Sequence, residues 1–250
     1  MKSKMKTAFA ATAVAFTAGA ATAEIEKIGL AVPNLQADFF NQIKLGVENY
    51  AAEKGIEVIV VDAKNDTATQ VSQVQDLMTQ GIDAFIYIPA GAAAGQKGTT
   101  PEVLRFEGCK RAIDENPGIE LVTQQWSQMW SPDEGFSIAQ NMLQANPDLK
   151  LIFGQADGLA MGAAKAVDVA GLSDQVIIGG YDGDVAALEY LAKCEGPFIV
   201  TATQSTQLMG RLAVDSAIKV AAGEEVPERQ IPNAVLTTCE DAPAYVEQHP

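Results

Sequence analysis

Seven short runs rich in valine, isoleucine, leucine and phenylalanine recur along the chain, beginning near Lys27, Glu57, Asp83, Ile119, Leu149, Gln175 and Phe198. Helical patterns fill the spaces between them. Phe40, Ile43, Val47 and Tyr50 recur at three- and four-residue spacing and stop at Gly55, and Val71, Val74 and Met78 do the same before Gly81. Such spacing gives amphipathic helices, and a glycine just past the last turn ends them. Ser131-Pro132-Asp133-Glu134 opens another helix, with Ser131 placed to cap, Pro132 in the first turn and Glu134 completing a capping box. Ala160, Ala164 and Val167 form a small-residue face before Gly171, Leu188 and Leu191 precede Gly196, and Leu208, Leu212 and Ser216 mark a last long helix. Strands apolar on both sides, each followed by a helix, predict an α/β fold with doubly wound parallel sheet.

In such sheets ligands bind beyond the carboxyl ends of the strands. Here those segments read PNLQADFF from Pro33, DAKND from Asp62, QQWSQMW from Gln124, QADG from Gln155, YDGD from Tyr181 and TQST from Thr203, together with Ala90 to Thr100. Aromatic pairs, amides and carboxylates alternate across them.

Lys2, Lys4 and Lys6 precede an uncharged stretch from Thr7 to Ala23 that ends Ala21-Thr22-Ala23, the pattern of an export signal cleaved after Ala23. The apolar run is short for a membrane span, and Glu24 rather than cysteine follows it, so a soluble exported protein without a lipid anchor is expected. Without those three lysines the formal charge moves from −15 to −18, which makes nucleic acid and anionic membrane surfaces poor partners, and no nucleic acid is expected. Cys109, Cys194 and Cys239 lie far apart with no C-x-x-C pair, so neither a zinc site nor a dithiol redox motif is expected. An oxidising compartment permits one disulfide, for example Cys194 with Cys239 leaving Cys109 odd, but spacing does not choose among the three pairings.

His249 is the sole histidine and the penultimate residue, which removes Ser-His-Asp, Cys-His and most metal-dependent mechanisms. No catalytic residue, metal or cofactor is expected, and the chain is not read as an enzyme. One segment argues otherwise. Gly91-Ala92-Ala93-Ala94-Gly95-Gln96-Lys97-Gly98 follows an apolar run and opens a helix, as a phosphate-binding loop would. The P-loop order fails because Gly98 separates Lys97 from Thr99, yet a single-domain exported enzyme holding a nucleotide or phosphate at the Gly91 loop stands as a competing reading.

The remaining groups suit neutral polyhydroxyl compounds, which take flat aromatic faces against C–H surfaces and planar polar groups against paired hydroxyls. Phe39, Phe40, Trp126 and Trp130 supply faces, and Arg105, Asp182 and Gln204 supply polar groups. Phe39 and Phe40 are adjacent and cannot share one helix face, so one of them belongs to the core.

Over nearly all of its length beyond the export signal the chain resembles the type I periplasmic sugar-binding proteins, the ribose-binding-protein-like components of ABC importers. The resemblance rests on Trp130 to Gly162 (WSPDEGFSIAQNMLQANPDLKLIFGQADGLAMG), Gly180-Tyr181-Asp182-Gly183, Thr201-Ala202-Thr203-Gln204 and, more weakly, Asp38-Phe39-Phe40. It implies two lobes that close on a sugar or polyol, a periplasmic location, a membrane ABC permease as partner with a chemoreceptor as a further one, and a monomer. Phe39 and Phe40 would form one side of a sandwich and Trp130 the other, while Arg105, Asp182 and Gln204 bond hydroxyls. Where the family often has asparagine, this chain has Ala37 and Ala156; Gln36, Gln155 and Asp157 are the compensating candidates, with Trp126 as an additional face, and the ligand is not expected to be ribose itself.

The resemblance also exposes an absence. After the third strand the family continues with a helix, a strand ending in an Asp-Arg pair, a further strand, a crossover, a helix and the second lobe's first strand, and none of these is present. The gap is placed between Gly91 and Gly98, shortening the chain at the first lobe crossover. The expected lobes are 24–94 with 205–235, and 95–204 with 236–250. A long free sheet edge and a reduced core follow, as do unbonded hydroxyls in the cleft. A non-binding defective paralogue is therefore a third reading.

Overall fold

The computed structural model describes residues 25–90 and 97–247. The proposed export signal, the glycine-loop residues 91–96 and His249 lie outside them. In chain order the described elements are β1 (Lys27–Val32), α1 (Asp38–Glu53), β2 (Glu57–Asp62), α2 (Thr67–Thr79), β3 (Ala84–Tyr87), α3 (Thr100–Glu115), α4 (Pro132–Ala145), β4 (Leu151–Phe153), α5 (Asp157–Val169), β5 (Ile177–Asp182), α6 (Val185–Leu191), β6 (Phe198–Thr203), α7 (Thr206–Ala221), β7 (Val235–Thr238) and α8 (Ala242–Val246). No described helix is long and apolar enough to cross a membrane.

The strands form two separate sheets. In the first, β1 lies between β2 and β3, and all three run parallel. Alternation along β1 sends Ile28, Leu30 and Val32 into one core with Val47 and Ala51 of α1 and Val214 of α7. The opposite face takes α2, where a Cβ at Gly29 would meet Ile82 and Leu77. Asp66 caps α2 by accepting from the Thr69 amide at 2.6 Å. Buried Gln70 fixes the exit of β3, donating to the Ile88 carbonyl and accepting from the Ala90 amide. Although α7 lies far along the sequence, it crosses α1 so closely that a Cβ at Gly46 would sit 2.7 Å from the Gln207 Cα.

The second sheet has the order β4-β5-β6-β7. Its first three strands are parallel and β7 is antiparallel to β6, so the sheet is mixed at one edge rather than parallel throughout. The small face of α5 allows very close packing on α4: a Cβ at Gly162 would lie 2.0 Å from the Pro132 carbonyl oxygen. Beneath them Ile152, Val176, Ile178, Leu188, Leu191 and Phe198 form the second core. Cys194 and Cys239 form a disulfide with a Cα separation of 5.0 Å, which leaves Cys109 as the free thiol.

The strand expected from Ile119 is not a strand. Residues 119–127 form neither helix nor strand, and Ile119 and Val122 are 51% and 50% exposed. A β-prone sequence becomes a strand only when a neighbour takes its backbone hydrogen bonds, and no described strand pairs with this run. In the first sheet β3 is an edge for the same reason, with Phe85 and Tyr87 37% and 46% exposed and stacked on each other.

Candidate functional site

The ends of β4, β5 and β6 converge with the start of α3. Arg105, one turn into α3, donates to the Asp182 carboxylate at the end of β5 at 3.0 Å and to the Gln155 carbonyl beyond β4. Gln204, just past β6, donates its side-chain amide to the same Asp182 oxygen at 2.8 Å, while its backbone amide donates to the Asp182 carbonyl. The guanidinium lies 4.1 Å from the centre of the Tyr181 ring and 5.5 Å from that of Trp130. Arg105, Asp182, Gln204, Gln155 and Trp130 are therefore one cluster. Tyr181 joins it unforeseen: it was legible only as a member of the YDGD segment, since strand alternation does not mark it for the cleft.

Backbone strain holds two of these residues. Trp130 has φ 58° and Asp182 φ 130°, values that L-residues adopt at a cost of about 1–3 kcal/mol. Around Trp130 the restraint is Glu134. Its carboxylate does not act only within a local capping box. It accepts from the Ser127 hydroxyl, the Gln128 amide and the Met129 amide, and Ser127 Oγ accepts from the Trp130 amide at 2.8 Å. Burial would raise the Glu134 carboxyl, but bonds from Ser127 and the neighbouring amides outweigh it and hold the group below its ordinary range.

Asp157, the first residue of α5, is fully buried, and both its oxygens accept from the protein. One takes the Gly183 and Asp184 amides at 2.7 and 2.9 Å, and the other takes the Thr201 hydroxyl at 2.6 Å. Burial raises its carboxyl and these bonds oppose the rise. Asp182 is pushed up to about 7, chiefly by burial against the lowering effect of Arg105, and Asp184 to about 9 by burial and the charges of Asp182, Asp157 and Asp38.

The first lobe meets this cluster through the start of α1. Asp38, the first residue of α1, accepts at 2.9 Å from the amide of Val185, the first residue of α6, a bond between helices that follow strands of different sheets. Phe39 and Phe40 follow it, edge to face at 5.2 Å, and Phe39 packs on the first core. Gln36 is exposed before the helix. Trp126 is engaged elsewhere: its indole N–H donates to Glu102, which also accepts from the Gly98 amide, and Lys97 lies 4.4 Å from its ring centre. The side-chain oxygen of Gln155 is buried without a hydrogen-bond partner.

The family profile described as a periplasmic binding protein domain matches residues 28–98 and 90–225. The chain belongs to this family. As a periplasmic binding protein of type I architecture it is similar to the ribose import binding protein of Bacillus subtilis, at 25% identity over 80% of this chain and 83% of the relative. Among solved structures it is similar to a periplasmic solute-binding protein of an ABC transporter from Actinobacillus succinogenes with bound D-allose, with TM-score 0.82 and 22% identity over 88% of this chain and 100% of the other. A solute-binding protein from Bacillus halodurans with bound myo-inositol gives TM-score 0.79 and 24% identity over 92% and 100%. The family match divides at residues 90–98, where the sequence places the gap. The Bacillus subtilis alignment runs over 257 positions while covering 80% of 250 residues, so about 57 aligned positions of that relative have no counterpart in this periplasmic binding protein.

Proposed function

We propose that this chain binds a monosaccharide or polyol between its lobes and delivers it to a membrane ABC permease from the periplasm, as a monomer that a chemoreceptor also reads. The observation that carries the reading is the convergence of Arg105, Asp182 and Gln204 beside the Trp130 ring, a planar polar fork against a flat apolar face. Phe40 and Phe39 supply the opposing face from the first lobe, with Gln155 and Gln36 as secondary contacts. Trp126 serves the site from further off, by anchoring the segment that leads into α3. The lobes are 24–94 with 205–235 and 95–204 with 236–250, a division supported by β7, which begins at Val235 and pairs with β6 of the second sheet. The relatives' names and bound ligands, which include ribose, allose and inositol, support the ligand class. The nucleotide-loop reading is not favoured, since Lys97, the cation it needs, lies over Trp126.

The test is thermal shift against pentoses, hexoses, alditols and inositols. A ligand at about one hundred times its Kd should raise the unfolding midpoint by roughly 5–10 °C, and Arg105→Ala should remove the rise. A folded protein that no member of the panel stabilises would reject the proposal.

A further inference from the structure

Asp157 is a candidate to compensate for Ala156 as a ligand contact, yet its surroundings assign it other work. Its side chain is fully buried, and its three hydrogen bonds reach the turn just after β5 and Thr201 within β6. The amides of Gly183 and Asp184 follow directly on Asp182, and Thr201 lies three residues before Gln204 on β6. The space is cut to fit: a Cβ at Gly180 would lie 2.2 Å from the Asp157 oxygen that accepts from Thr201. Gly183 has φ 81°, which glycine adopts without strain, and this turns its amide toward Asp157.

We propose that Asp157 is a positioning residue, which holds Asp182 in its strained conformation and sets it against Arg105 and Gln204 without itself touching ligand. It does so through two amide bonds immediately after Asp182 and one hydroxyl bond on the strand that carries Gln204. The role requires an acceptor at this point, not a negative charge. This rests on the cleft being the binding site, so its test has one arm that needs no ligand.

In the binding arm, Asp157→Ala leaves two amides and a hydroxyl without an acceptor and weakens the best panel ligand by roughly tenfold or more. Asp157→Asn restores affinity to within about threefold of the parent, because its amide oxygen accepts from Gly183 and Asp184 while its NH2 donates to the Thr201 hydroxyl. In an Asp182→Asn background, Asp157→Ala adds no further loss. An Asn variant as weak as the Ala variant, or a full additive loss in the double mutant, would overturn the proposal in favour of a charged ligand contact. Should the Ala variant not fold, Thr201→Val removes one of the three bonds and is expected to weaken binding several-fold.

In the ligand-free arm, amide hydrogen exchange is followed at Gly183, Asp184 and Gln204. The Ala or Thr201→Val variant is expected to speed exchange at these amides at least severalfold and to leave β1 amides unchanged, while Asp157→Asn does not. Unchanged exchange at Gln204 in the Ala variant rejects positioning whether or not any sugar binds. A parent protein that binds nothing but shows this exchange pattern rejects only the functional reading.

Discussion

The ends of β4, β5 and β6 and the stretch from β3 to Trp126 belong to one chain and have similar apolar sequences, yet they have different fates. At the strand ends every strand has a neighbour, α4 and α5 close over the sheet, and even a buried carboxylate finds three donors. Between β3 and Trp126 the apolar side chains of Phe85, Tyr87, Leu104, Ile119 and Val122 remain exposed. What α3 has instead of a core is polar: Arg105 reaches Asp182 and Gln155, and Glu102 holds Gly98 and Trp126. The difference teaches that local pattern makes a helix or an extended run, but only a partner buries it. Here the candidate binding residue Arg105 is also a main tie of its own helix.

The largest effect that sharpens this contrast is expected from Gly162→Ala. Its methyl would meet the Pro132 carbonyl at 2.0 Å, forcing α4 and α5 apart and costing about 3 kcal/mol or more in denaturant unfolding. A cost below about 1 kcal/mol would show that the second lobe packs as loosely as the region around α3.

Next comes the pH dependence of the crowded carboxylates. Asp182 and Asp184 are raised to about 7 and about 9 in the folded protein, from 3.8, by burial first and neighbouring charges second. The folded state therefore holds protons that the unfolded chain releases. The corresponding stability is complete below about pH 4 and is lost as pH rises through 7 and then 9. The thermal midpoint should fall from pH 6 to pH 9, and Asp184→Asn should flatten that fall. A midpoint that rises over this interval would contradict the crowding.

The smallest effect belongs to the other region. A Cβ at Gly108 of α3 meets nothing within 4 Å, so Gly108→Ala should stabilise by up to about 1 kcal/mol through helix propensity alone. Destabilisation in chemical unfolding would mean that α3 is covered by something its surroundings do not show.

The same contrast explains what was legible in the sequence. Ser131 does cap α4, accepting from the Glu134 amide, because capping is settled within one turn. Glu134's wider reach to Ser127 and Met129 was not legible, since the fold of the preceding loop decides it. Arg105, Asp182 and Gln204 stood out as planar polar groups suited to hydroxyls, and their mutual bonds came only from the topology that brings three strand ends together. Ile119 failed for the opposite reason: its β-prone sequence is real, but no described strand takes its backbone hydrogen bonds. Four residues of β7 were overlooked because they are short, half exposed and paired antiparallel at an edge.

The crossing of α1 and α7 fixes an order in time. Gly46 lies against Gln207, and Val214 completes the core of β1, so the first lobe cannot finish folding until the chain has been made as far as α7. Through most of its synthesis the amino-terminal sheet lacks one of the helices that cover it. A chain built this way stays open during translation and closes its first lobe almost last, whichever side of a membrane it is then on.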